Sequence, residues 1–128
     1  IKNKISKEDF QKALYVIEEN ERVLFFSKAI QEENINELGT LLYQSHQGLS
    51  EFYRVSCKEL DFLVEKTKES PNILGARMMG GGFGGCTINL VHKNFKNKVK
   101  KIAKEYELEF KIKPSVYSIK LEDGVKII

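Results

Sequence analysis

The chain has 128 residues, and its 21 Lys+Arg against 18 Asp+Glu leave a net charge of +3, with 41% of the residues hydrophobic. That size and balance suit one soluble domain with a core of its own, and no apolar run approaches the roughly 20 residues of a membrane-spanning helix. Cys57 and Cys86 are too few for a disulfide framework and too far apart for a Cys-x-x-Cys metal pair, which fits a reducing, cytoplasmic setting. The chain opens Ile1-Lys2-Asn3-Lys4, without an initiator Met or the apolar stretch of a signal peptide, and is expected to be a piece of something longer.

From Ser6 to about Glu33 there is neither Pro nor Gly. Apolar residues recur there at Phe10, Leu14, Ile17 and Leu24 and again at Ala13, Val16, Val23, Phe26 and Ile30. The period predicts a long helix capped by Ser6, and its two adjacent stripes predict burial on more than one side. Asn34 with Glu37 predicts a second helix with Ile35, Leu38, Leu41, Leu42, Leu49 and Phe52 on its apolar face. Ser56 with Glu59 repeats the device for a third helix, whose face is Leu60, Leu63, Val64 and Thr67 and whose end is marked by Pro71. Short strands are expected over Ile73–Met79 and Cys86–Val91, either side of a glycine run. A further helix carries Phe95, Val99, Ile102, Ala103 and Tyr106 on one face and Lys96, Lys98, Lys100, Lys101 and Lys104 on the other. Strands are expected again over Val116–Leu121 and Val125–Ile128, around an Asp123-Gly124 turn. The order predicts an α+β sandwich with helices on one face of a small antiparallel sheet, and no internal boundary.

Residues 93–113 hold eight lysines against Glu105, Glu107 and Glu109, a local excess of +5. Only Phe95, Tyr106 and Phe110 are interspersed, and two of these lie on the apolar side of the helix. A solvated lysine face is therefore expected, not a nucleic-acid site.

Gly80-Gly81-Gly82-Phe83-Gly84-Gly85 places five of the nine glycines in six positions. Each glycine costs chain entropy and removes a β-carbon that would hold a ligand off the backbone, so the run suits close approach, with phosphate the first ligand to consider. A dinucleotide fingerprint would need a helix to start where Cys86-Thr87-Ile88 favours a strand. A P-loop would need Lys and Ser/Thr after its last glycine. A single-stranded RNA clamp would need helices on both sides. A plain tight turn needs only one or two glycines. A functional loop is expected.

Gly75-Ala76-Arg77-Met78-Met79-Gly80-Gly81-Gly82-Phe83-Gly84-Gly85-Cys86-Thr87 strongly resembles the third signature motif of the galactokinases, a branch of the GHMP small-molecule kinase superfamily. Val16–Val23 and the stretch from Ser45-His46 through Tyr53–Asp61 resemble the same branch, so the likeness spans nearly the whole chain. The resemblance implies a ferredoxin-like α+β sandwich over residues 1–128 that forms the C-terminal domain of a kinase. The whole enzyme would phosphorylate galactose at its anomeric hydroxyl with ATP and Mg²⁺. Those cofactors would be bound mainly by an N-terminal catalytic domain absent from this chain, its expected partner along with galactose and ATP. Arg77, Gly80, Gly81, Gly82, Phe83, Gly84 and Gly85 would border the sugar and the transferring phosphoryl group, with Arg77 helping to position the loop. No catalytic residue and no metal ligand are expected in the fragment, and nucleic acid and membrane are not expected partners. Met79 stands where the family usually has Thr, and is left out of the site.

A β-carbon at Gly82 or Gly84 is expected to damage catalysis far more than stability. His46 has no acidic partner nearby in sequence and is expected to be bonded within the helix layer, not to act as a base. His92 is expected in solvent and Cys86 in small buried packing, while Tyr53-Arg54 are weak candidates for the cleft. Two alternatives stay open: a stand-alone module that binds a ligand or a protein, and a domain of a related N-acetylgalactosamine or uronic-acid kinase.

Overall fold

A computed structural model describes residues 5–93 and 96–120. Its elements follow as α1 Lys7–Gln31, α2 Ile35–Gln47, a π-helical turn Gly48–Phe52, α3 Lys58–Lys68, β1 Ile73–Met78, β2 Thr87–Val91 and α4 Lys96–Phe110. α2 and α3 pack against the antiparallel β1–β2 ribbon, with α1 resting on α2 and α4 on α3, which is the expected α+β class. Ser6 accepts the Asp9 N–H at the start of α1 and Asn34 accepts the Glu37 N–H at the start of α2. Both satisfy a backbone donor that a helix start leaves unpaired.

The ribbon pairs Gly75 with Leu90, Ala76 with Asn89, Arg77 with Ile88 and Met78 with Thr87, after a register shift between Ile73 and Gly75. One more bond, from Met79 N–H to the Cys86 carbonyl at 2.9 Å, closes the neck of the glycine loop. α2 lies directly on β1. A β-carbon on Gly39 would overlap the Leu74 carbonyl oxygen and one on Gly75 would overlap the Gly39 backbone, so both residues must be glycine for helix and strand to touch. Leu41, Leu60, Val64, Ile73, Ala76 and Met78 are buried around this contact. α3 presents Leu60, Val64 and Thr67 to it, the face that its spacing predicts. On the far side, Phe62 meets Phe110 edge-on, with centroids 5.3 Å apart, and fixes α4.

Several expectations fail. α1 buries only Tyr15 and Ala29, while Leu14, Val16, Ile17, Val23, Leu24 and Ile30 are exposed. One stripe of it meets α2, the π-helical turn with Tyr53 and Arg54, and Arg77 of β1, and the apolar residues off that stripe are left exposed. The apolar face assigned to one second helix is split, because α2 stops at Gln47 and Leu49 and Phe52 fall in the π-helical turn. Cys57, not Ser56, is the N-cap of α3. The Ser56 hydroxyl goes to the Asp61 carboxylate, a charge-assisted bond stronger than a neutral cap. Cys86 is exposed at the loop's neck, just before β2, instead of buried in a strand. Residues 116–120 form no strand: Val116, Tyr117 and Ile119 are exposed, and among the described residues the sheet has two strands. Phe95, Leu121, the Asp123-Gly124 turn and the expected strand at 125–128 lie outside the described residues.

Gly39→Ala is expected to lower stability by about 1–3 kcal/mol, the usual cost of overpacking, despite a gain of about 1 kcal/mol in helix propensity. The urea midpoint measures it. An unchanged midpoint would mean that α2 does not rest on β1 through this residue.

Candidate functional site

The glycine loop has one fastened side and one open side. Phe83 N–H donates to the Val55 carbonyl at 2.7 Å, and a β-carbon on Gly82 would overlap that same oxygen. Around Gly80, Gly81, Gly84 and Gly85 a β-carbon would meet nothing within 4 Å. Phe83 takes a φ of 60°, rare for a bulky residue, and is 77% exposed at the loop's tip. The loop is therefore a backbone rim, with its free glycines facing space that another molecule or chain segment can fill.

This arrangement changes what the glycines test. Gly82 has a φ of 93° and packs against Val55, so a substitution there disturbs the fold together with any ligand. The expected separation of activity from stability cannot be read at Gly82. Gly84 has open surroundings but a φ of 142°, which strains any L residue. Gly81 combines open space with an ordinary φ, and is the position at which a methyl group probes the ligand side alone.

Arg77 points back from β1. Its Nε donates to the Met78 carbonyl at 3.0 Å and its Nη1 lies 3.4 Å from Glu19 Oε1. Glu19 also accepts the Ser45 hydroxyl and faces Arg22 Nε at 3.4 Å, off the line of a hydrogen bond, so that contact rests on charge attraction. These groups line a cavity of about 200 Å³ with Phe26 and Leu41, between α1, α2 and β1. Tyr15 donates to the carbonyl of Ser45, one of the lining residues, at 3.4 Å. Burial first, then the Glu19 charge, pushes the Tyr15 hydroxyl up to about 12, so it remains a donor. Glu19 and Arg22 come from the 16–23 stretch that carries the resemblance, but nothing in their spacing announces a partner on β1.

His46 is buried, as a histidine bonded inside the helix layer should be, but it does have an acid partner. Its Nδ1 accepts the Met78 N–H at 3.2 Å, which leaves the proton on Nε2, 3.1 Å from Asp61 Oδ1. Asp61 lies fifteen residues on in sequence, in the first turn of α3, where folding alone brings it to His46. Ser56 donates to Asp61 Oδ1 at 2.6 Å and Ser50 to Oδ2 at 3.0 Å. Burial pulls the His46 pKa below its ordinary value and outweighs the opposing pull of Asp61. The other charges that bear on it, Lys68 and Glu65, also belong to α3 and act in opposite directions.

Tyr53 stacks against Tyr15, with ring centroids 5.6 Å apart, and Arg54 takes a φ of 61° with its guanidinium 3.9 Å from Glu8. Their side chains thus turn toward α1 and not into the glycine loop; what this segment gives the loop is the Val55 carbonyl. His92 is exposed after β2, and Lys100, Lys101 and Lys104 are exposed on α4. Among the described residues, no group of three or more His, Cys, Asp or Glu could hold a metal ion and no helix is long and apolar enough to cross a membrane.

Residues 26–108 match the family described as GHMP kinases C terminal. A protein named galactokinase from Thermosipho africanus is 46% identical over 112 residues, which are 87% of this chain and 32% of that protein. One from Thermotoga neapolitana is 44% identical over 97% of this chain and 38% of its own length. The crystal structure of Lactococcus lactis galactokinase complexed with galactose superposes with a TM-score of 0.79 at 36% identity, over 84% of this chain and 28% of that one. The chain thus spans about a third of the length of the relatives it matches.

The lowered His46 pKa fixes the sign of a pH effect. The unfolded chain takes up this proton first, near 6.5, so the contribution is fully present above that pH and is lost as pH falls through the folded value. Melting temperature is expected to drop between about pH 7 and pH 5, and His46→Asn to flatten that drop while lowering stability at pH 7.5 by about 1–3 kcal/mol. Equal slopes in the two proteins would show that His46 is not the group titrating.

Proposed function

This chain belongs to the family of GHMP kinase C-terminal domains, and we propose that it serves as the C-terminal domain of a cytoplasmic galactokinase. The whole enzyme would transfer the γ-phosphoryl group of ATP to the anomeric hydroxyl of galactose, giving galactose 1-phosphate and ADP. The names of the relatives support the substrate, and the glycine loop carries the site. Phosphoryl transfer depends on positioning and on charge stabilisation. A rim that is fixed at Val55 and bare at Gly80, Gly81, Gly84 and Gly85 supplies positioning without side-chain bulk.

The division of labour follows from the donor set. The described residues offer no cluster of three or more acidic, His or Cys side chains for Mg²⁺, and an N-terminal kinase domain would hold the metal, the ATP phosphates and the catalytic acid–base groups. Arg77 serves as a brace: its guanidinium joins the β1 backbone to Glu19 on α1, next to the loop's stem. The apolar residues that α1 leaves exposed, among them Val23, Leu24 and Phe25, give the N-terminal domain a surface on which to close.

The test is an assay of this chain alone and of the chain joined to the N-terminal part of the Thermosipho africanus relative, with galactose, ATP and Mg²⁺. The chain alone is expected to be inactive and the joined protein active. In the joined protein, Gly81→Ala is expected to lower kcat/KM about tenfold or more with little change in melting temperature, since misplacement of about 1 Å can cost roughly a hundredfold in rate. Lys100→Ala, on the solvated face of α4, is expected to change neither. Turnover by the chain alone, or a fully active Gly81→Ala, would overturn the assignment, and preference for N-acetylgalactosamine or a uronic acid would move it to a related kinase.

A further inference from the structure

We propose that His46 is a positioning residue for the glycine loop, tying the loop's stem to its tip through Asp61 and Ser56. The catalytic part of this inference rests on the kinase reading above; the clamp itself does not. Met78 is the last residue of β1, and its N–H donates to His46 Nδ1 at 3.2 Å. Nε2 then donates to Asp61 Oδ1, and the same oxygen accepts the Ser56 hydroxyl at 2.6 Å. Ser56 follows Val55, whose carbonyl accepts Phe83 N–H at 2.7 Å. The chain from Met78 to Phe83 contains only Met79 and three glycines, so the circuit closes on itself. Left alone, that glycine segment would sample many conformations. The circuit fixes both of its ends to one carboxylate.

A merely structural histidine would show no preference for the loop. Asp61 offers the control, because its two oxygens serve different segments. Ser56 on Oδ1 leads to Val55 and the loop's tip, whereas Ser50 on Oδ2 leads into the π-helical turn. Each hydroxyl gives one bond to the same carboxylate, but Ser56 is joined to Val55 directly by the peptide bond, whereas Ser50 reaches Val55 only through its neighbour Leu49, whose carbonyl accepts the Val55 N–H at 3.0 Å.

Amide hydrogen exchange on this chain tests the clamp without catalysis. Ser56→Ala is expected to speed exchange at the Phe83 amide about tenfold, and His46→Gln, which places no acceptor at the Nδ1 position, to do so at Met78, while Ser50→Ala leaves both within about twofold, following the local opening that each bond controls. In the joined kinase, Ser56→Ala and His46→Gln are expected to lower kcat about tenfold with KM for the sugar nearly unchanged. His46→Asn, whose Oδ1 stands near the place of Nδ1, is expected to recover part of the loss. Equal exchange in the Ser56 and Ser50 variants would overturn the clamp, and faster exchange with unchanged kcat would overturn its role in transfer. If the unsubstituted joined protein phosphorylates no hexose, the kinase reading and the catalytic role fall together, and exchange alone decides whether the clamp exists. Should His46→Gln fail to fold, Ser56→Ala against Ser50→Ala still gives the answer.

Discussion

The close seat of α2 on β1 is the constraint from which the rest of the architecture follows. Gly39 and Gly75 let helix and strand backbones touch, and this brings the side chains that follow on α2 within bonding reach of the strand. Two turns after Gly39, Ser45 reaches Glu19 and His46 reaches the Met78 amide. An added methyl group at the contact would lift α2 and lengthen the His46 bond, which at 3.2 Å is already near the outer limit of a good hydrogen bond. Core packing and loop geometry are thus coupled through a single helix–strand spacing.

Local signals were legible in the sequence and distant pairings were not. Ser6, Asn34 and the α3 stripe act within one or two helical turns, so their spacing alone announces them. The glycine run was readable by composition, because no ordinary turn needs so many residues without a side chain. Its fastening was not readable: Val55 lies 28 residues from Phe83 and offers a backbone carbonyl, which no side-chain pattern marks. Ser56 looked like a helix cap because Glu59 stands in the right place, yet folding brings the Asp61 carboxylate closer to its hydroxyl. α1 misled for the opposite reason. Its apolar spacing is real, but spacing tells which residues share a face and cannot tell what lies opposite them.

The same limit explains the residues of the 16–23 and 45–61 stretches. Glu19 and His46 each bond to a residue of β1, 58 and 32 positions away, and to a second partner on a helix, Ser45 and Asp61, 26 and 15 positions away. As bare sequence they read as one more surface glutamate and one more core histidine. In the folded chain they stand on opposite sides of the strand's last residues, Arg77 held toward α1 and Met78 held toward α2 and α3.

The choice of histidine follows from the groups it must join. An amide N–H needs an acceptor and a carboxylate needs a donor, and a neutral imidazole presents one of each at fixed separation on a rigid ring. Lysine or arginine would donate to Asp61 but repel the amide hydrogen, and would bring a full charge into a site where burial disfavours it. Asparagine reaches only one partner. The lowered pKa of His46 then belongs to the same design: burial keeps the ring neutral at physiological pH, and only the neutral ring can accept from Met78 while donating to Asp61.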